Sequence, residues 1–71
     1  MNKLSPIEKK YCIEFLKLKA ERGTYKKIAE KFNHTYYTVR TRFNMIIFRK
    51  LRVHTMQELY EKLKTNKEIL N

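Results

Sequence analysis

Aspartate and tryptophan are missing from this chain, and cysteine, glycine and proline occur once each, as Cys12, Gly23 and Pro6. A single cysteine excludes an intramolecular disulfide and any four-ligand zinc spacing, so Cys12 reads as a small core hydrophobe. One glycine and one proline argue against a protein of strands and tight turns and for helices. Without aspartate there is no aspartyl phosphoacceptor, hence no receiver domain. No run of about 18 apolar residues is present, as a membrane span would need. The first residues also lack the apolar stretch of a signal peptide, so no membrane is expected as a partner and a reducing cytoplasm is the expected location. The glutamates are scattered among lysines with no pair placed for acid–base work, and His34 and His54 are too isolated for a metal site. The expectation is therefore no catalytic residue, no metal, no cofactor and no enzyme.

What is abundant is positive charge. Seventeen lysines and arginines face seven glutamates in 71 residues, a net charge of +10. Hydrophobic residues are 42% of the chain and aromatics 13%, too apolar for intrinsic disorder. Residues 1–71 form one domain, whose core has room for three or four helices and little for an internal cavity. Unbalanced cations repel one another in a compact chain, so an acidic partner is implied. Double-stranded DNA is the leading one; an acidic protein and a membrane surface are its rivals, and the turn signals and well-defined core stripes of the chain count against the membrane.

The chain divides into four helical segments. Leu4-Ser5-Pro6-Ile7-Glu8 places Ser5 as N-cap, Pro6 at the first helical position and Glu8 where its carboxylate reaches back to the Ser5 amide. Ile7, Tyr11, Phe15 and Leu18 make the apolar stripe of the first helix, which Gly23 is expected to stop. Thr24 caps a short second helix with Ile28, Ala29 and Phe32 inward. Asn33-His34 breaks the pattern, and Thr35 caps a third helix with Val39, Phe43, Ile46 and Ile47 inward. Thr55-Met56-Gln57-Glu58 is a second capping box, opening a helix with Met56, Leu59, Tyr60 and Leu63 on one side. The fold class is all-α, a compact four-helix bundle containing a helix-turn-helix, with helices at about 6–22, 25–32, 36–51 and 56–64 and a frayed tail over 65–71.

On a helical wheel Tyr36, Tyr37, Arg40, Thr41 and Asn44 lie away from Val39 and Phe43, so the outward face of the third helix carries cationic and hydrogen-bonding groups near its N-terminal end. In a helix-turn-helix that end enters the major groove. There arginine pairs with guanine through two bonds, asparagine does the same with adenine, and a threonine methyl meets a thymine methyl. Arg42 borders the buried face and can snorkel from it.

The stretch KKIAEKFNHTYYTVRTRF resembles the DNA-binding domain of the LuxR/GerE family, with Ile28-Ala29, Phe32, Thr35, Thr38-Val39 and Arg40 in the family's register. Leu4-Ser5 with Glu8 looks like its opening and Arg49-Lys50-Leu51-Arg52-Val53 like its close; the likeness spans about residues 4–60. The −35-reading region of sigma factors shares the outline. The resemblance implies a four-helix domain whose third helix reads the major groove and whose fourth mediates dimerisation. It puts Arg40, Thr41 and Asn44 at base-facing positions, and Lys26 and Thr38 at positions that touch phosphate. The chain departs from the family in four ways. It has about four extra residues between Tyr11 and Ile28. His34 replaces an apolar residue. One extra residue lies between Val39 and Leu51, absorbable as a π-bulge near Ile46-Ile47. Arg52 replaces the glycine that ends the third helix, so that helix is free to run on.

The candidate DNA-binding set is Lys26, Thr35, Tyr36, Tyr37, Thr38, Arg40, Thr41, Arg42 and Asn44. On a straight helix Phe48 sits nearly opposite Val39, which calls either for a change of face at a bulge or for another chain to cover it. The second is the expectation taken, with Phe48, Tyr60 and Leu63 as the homodimer surface. The function expected is a sequence-specific DNA-binding transcription regulator. The alternative is an interaction adaptor, or a sigma-like fragment whose basic face contacts RNA polymerase or another acidic protein.

Overall fold

Ser5 opens the first helix as its neighbours require. In the computed structural model, which describes residues 4–19 and 21–70, the Ser5 side chain accepts a bond from the Glu8 amide at 3.3 Å. The Glu8 carboxylate accepts one from the Ser5 amide at 2.9 Å, completing the capping box. From there α1 runs Pro6–Lys17, α2 Thr24–Phe32, α3 spans 36–51, and α4 is Met56–Thr65. A 3-10 turn, Lys67–Leu70, follows. No strand occurs among the described residues. The Cα radius of gyration, 10.9 Å, is that of a compact chain of this length, for which about 11 Å is expected.

The first helix is shorter than the expected 6–22. It stops at Lys17, and Lys19 takes the left-handed conformation (φ 54°) that turns the chain. Gly23, read from sequence as the stop of α1, instead precedes α2 with φ 78°. A left-handed φ is the one a glycine takes without strain. Thr24 does not cap α2 either; it lies inside the first turn, buried, with its hydroxyl bonded to the Glu21 carbonyl.

Two helices end in Schellman turns without glycine. After α2, Asn33 (φ 56°) donates to Glu30 and His34 to Ala29; after α3, Arg52 (φ 57°) donates to Arg49 and Val53 to Phe48. Arg52 therefore takes the glycine's conformation, and the third helix stops at Leu51 instead of running on.

Inside α3 the sequence of burial explains the geometry. Val39, Phe43, Ile47 and Leu51 are all buried and spaced by four residues. On a regular α-helix a step of four overshoots a turn by about 40°, so three steps would carry the stripe about 120° off the core. The expected π segment takes that drift back over Arg42–Ile47, between the α-helical stretches Tyr36–Thr41 and Phe48–Leu51. It is longer than the single turn at Ile46-Ile47. Phe48 is thereby rotated onto the core, half-buried, and needs no second chain to cover it.

The core joins every element. Tyr11, Cys12, Phe15, Ile28, Val39, Phe43, Ile47, Leu59 and Leu63 are fully buried. Phe43 is its hub, with ring centroids 4.8 Å from Tyr25, 5.5 Å from Phe15 and 5.9 Å from Tyr11. Leu63, an expected dimer residue, is at 0% exposure inside this core and has no surface to offer a partner. Within the tail expected to fray, residues 65–70 are ordered: Ile69 and Leu70 pack against the core, and their turn meets α1, while Asn71 lies outside the described residues. The second capping box is displaced by one residue. Thr55 caps the Glu58 amide at 3.1 Å, while the Glu58 carboxylate accepts from the His54 amide at 2.7 Å.

Glu8 has a second task. It is 4% exposed, and Lys50 from the far end of α3 places its ammonium 2.8 Å from the carboxylate, tying α1 to α3. Burial pushes the Glu8 carboxyl up, but the Lys50 hydrogen bond, the Ser5 amide and the Lys50 charge outweigh it and hold it below its ordinary range.

Candidate nucleic-acid interface

A three-residue turn positions the outward face of α3. Asn33 closes α2, and Thr35 caps α3 by accepting from the Thr38 amide at 3.1 Å and donating to the Thr38 hydroxyl at 2.8 Å. His34 is held between them. Its Nδ1 is hydrogen-bonded to the Tyr11 hydroxyl, and its ring lies 6.2 Å from Phe32. The register of α3 against α2 is then fixed by Tyr25 stacking on Phe43, planes 21° apart.

With Val39 and Phe43 locked inward, the opposite side of α3 faces solvent. Tyr37, Arg40, Thr41, Asn44 and Met45 line one shallow groove of about 260 Å³. Tyr37 is 70% exposed and Met45 53% exposed; Arg40 and Asn44 are exposed and Thr41 half-buried. The structure thus gathers four of the expected residues and adds Met45. A methionine in a helical apolar pattern reads as core, and a regular wheel does not align Met45 with Tyr37; its signal is the four-residue step from Tyr37 through Thr41 to Met45.

The other candidates sit apart. Tyr36 leans towards α2, its ring 6.5 Å from Tyr25, and borders a second hollow with Glu21, Gly23, Thr24 and Met56. Burial and the nearby Tyr36 push the Tyr25 hydroxyl up to about 12, against the pull of the Arg40 charge, so Tyr25 stays neutral. Thr35 and Thr38 spend hydroxyl contacts on the cap. Lys26 is exposed in the first turn of α2, whose leading amides no side chain caps. Arg42 does not join the groove. It is half-buried, with a buried Nε that has no hydrogen-bond partner, and its guanidinium acts on Tyr11. Burial raises the Tyr11 hydroxyl, and the charge and hydrogen bond of Arg42 pull it partly back. Of the expected dimer residues, Phe48 and Tyr60 are half-buried and packed on the core, Tyr60 with its ring 6.5 Å from Phe15.

Charge follows the same division. Glu8, Glu14 and Glu21 pair with Lys50, Lys31 and Lys27. Between Glu30 and Glu58 the chain has no carboxylate, while Lys31, Arg40, Arg42, Arg49, Lys50 and Arg52 all fall there. The groove on α3 lies in the middle of that stretch. Among the described residues no helix is long and apolar enough to cross a membrane.

No protein-family model, curated protein or solved structure matches the chain.

Proposed function

We propose that the protein is a sequence-specific double-stranded DNA-binding transcription regulator in which α2, the turn at 33–35 and α3 act as a helix-turn-helix. The observation that carries this reading is the groove on α3. Arg40, Asn44 and Thr41 share one exposed face in a stretch of chain without a carboxylate. Arginine, asparagine and threonine are the side chains that read guanine, adenine and thymine edges in the major groove. Lys26, and Thr35 and Thr38 at the mouth of α3, supply backbone contacts that position the helix without reading sequence. The likeness of residues 26–43 to the LuxR/GerE DNA-binding domain supports the same assignment of roles.

Selection of bound duplexes from a random DNA pool by the full chain, followed by sequencing, tests it. An enriched motif is expected, and a palindrome would show two copies acting on two half-sites. A pool left unenriched while the protein retains an acidic protein partner such as RNA polymerase would replace this reading with the adaptor.

A further inference from the structure

Four large apolar side chains remain exposed among the described residues, and three of them, Tyr36, Tyr37 and Met45, lie on α3. One exposed hydrophobe on a surface needs no explanation; several along a cationic helix do. Tyr36 is accounted for by the Tyr25 ring beside it. Met45 has no such account. It is 53% exposed in the groove with Arg40 and Asn44.

The wide turn over Arg42–Ile47 explains why it is there. It holds residues four apart in line instead of letting each drift by about 40°. The groove therefore combines two kinds of side chain at four-residue steps: Arg40 and Asn44, which can form hydrogen bonds, and Tyr37, Thr41 and Met45, which offer a ring, a methyl and a thioether. The major-groove edge of an A·T pair carries the same two chemistries. Adenine presents N7 and the N6 amino group, which asparagine takes, and thymine presents its C5-methyl.

We propose that Met45, with the Thr41 methyl beside it, is a specificity-determining residue that reads a thymine C5-methyl next to the adenine taken by Asn44. This rests on the DNA-binding reading above. Methionine suits the task, because its flexible, polarisable chain fits irregular apolar surface. The same methyl occurs on 5-methylcytosine; thymine is assigned because Asn44, one residue away, takes the adenine that thymine pairs with.

The test uses the duplex enriched by the full chain. Each thymine is replaced singly by deoxyuridine, which removes only the C5-methyl, and each cytosine by 5-methylcytosine in a second series. Affinities are measured for the native protein, Met45→Ala and Met45→Leu. At one or two thymines the native protein should bind the uridine duplex about fourfold more weakly, the equivalent of ~0.8 kcal/mol for one methyl-sized group left in water. Met45→Ala should bind the two duplexes alike, Met45→Leu should keep most of the difference, and both should melt as the native protein does. Uniform indifference to uridine overturns the proposal and leaves DNA binding standing. So does a thymine preference that survives Met45→Ala, or a gain on 5-methylcytosine that exceeds the thymine effect. An unenriched pool overturns both readings together.

Discussion

Tyr25 and Phe43 stack with ring centroids 4.8 Å apart and planes 21° apart, and this contact sets α2 against α3. Phe43 also touches the rings of Phe15 and Tyr11 from α1, so one side chain holds three helices together.

Phe43→Ala should therefore destabilise the protein by about 3–5 kcal/mol, through lost transfer energy and the cavity left among three rings. That is most of what a domain this small has. Urea unfolding should show a largely unfolded variant at 37 °C in buffer alone; a melting point lowered by a few degrees would contradict the hub.

Arg52 holds a left-handed φ of 57° on an exposed turn. Arg52→Gly removes a strain of about 1–2 kcal/mol but adds freedom to the unfolded chain, worth up to about 1 kcal/mol. A net gain of about 0.5–1 kcal/mol by thermal melting is expected. A loss of stability would mean that the guanidinium contributes more to the fold than the turn costs.

Glu8 gives the fold an acid limit. Its folded carboxyl lies below its ordinary value, so its stabilisation is fully present above the unfolded value of about 4.3. It is lost as pH falls through the lower folded value. Melting temperature followed from about pH 6 to about pH 3 should fall at the acid end, and Glu8→Gln should be less stable at neutral pH with a shallower decline. An equally steep decline in Glu8→Gln would place the acid sensitivity elsewhere.

Base reading and backbone attraction separate at Arg40 and Lys26. Arg40→Ala should weaken binding to the enriched site by about 1–3 kcal/mol and affect unrelated duplexes much less. Lys26→Ala should weaken both alike and reduce the slope of log affinity against log salt by about one unit. Equal losses on both duplexes for Arg40→Ala would make it a phosphate clamp. No effect from either variant would remove α3 as the DNA face.

Local signals in the chain were legible. Ser5, Thr35 and Thr55 cap the helices the pattern assigns them, because an N-cap depends on residues within one turn; Thr24 does not, because the left-handed Gly23 before it puts Thr24 inside α2. The end of α1 was not. Gly23 looks like a stop, yet the chain turns at Lys19, and nothing in a lysine announces a left-handed conformation. Arg52 hides the end of α3 for the same reason. Leu63 and the tail depend on distant neighbours: an amphipathic stripe says that a face is covered, not by which element. At the candidate site, a regular wheel already turns Arg40 and Thr41 outward, since they precede the wide turn, and Asn44 as well, since the drift is still small two residues into it. Met45 and Phe48 lie within or beyond the wide turn, where a 3.6-residue period no longer tells which way a side chain points.

Cys12, the one thiol in the chain, is at 0% exposure, and burial pushes it up to about 12, with the neighbouring Glu8 charge adding to the rise. The thiolate is the form that reacts, so a closed molecule offers an alkylating reagent neither access nor a nucleophile. Modification of Cys12 must wait for the core to open. The protein thus carries a built-in reporter: the pace at which a thiol reagent consumes Cys12 counts openings of the native state when the reagent outpaces reclosing, and measures the fraction of molecules open when it does not.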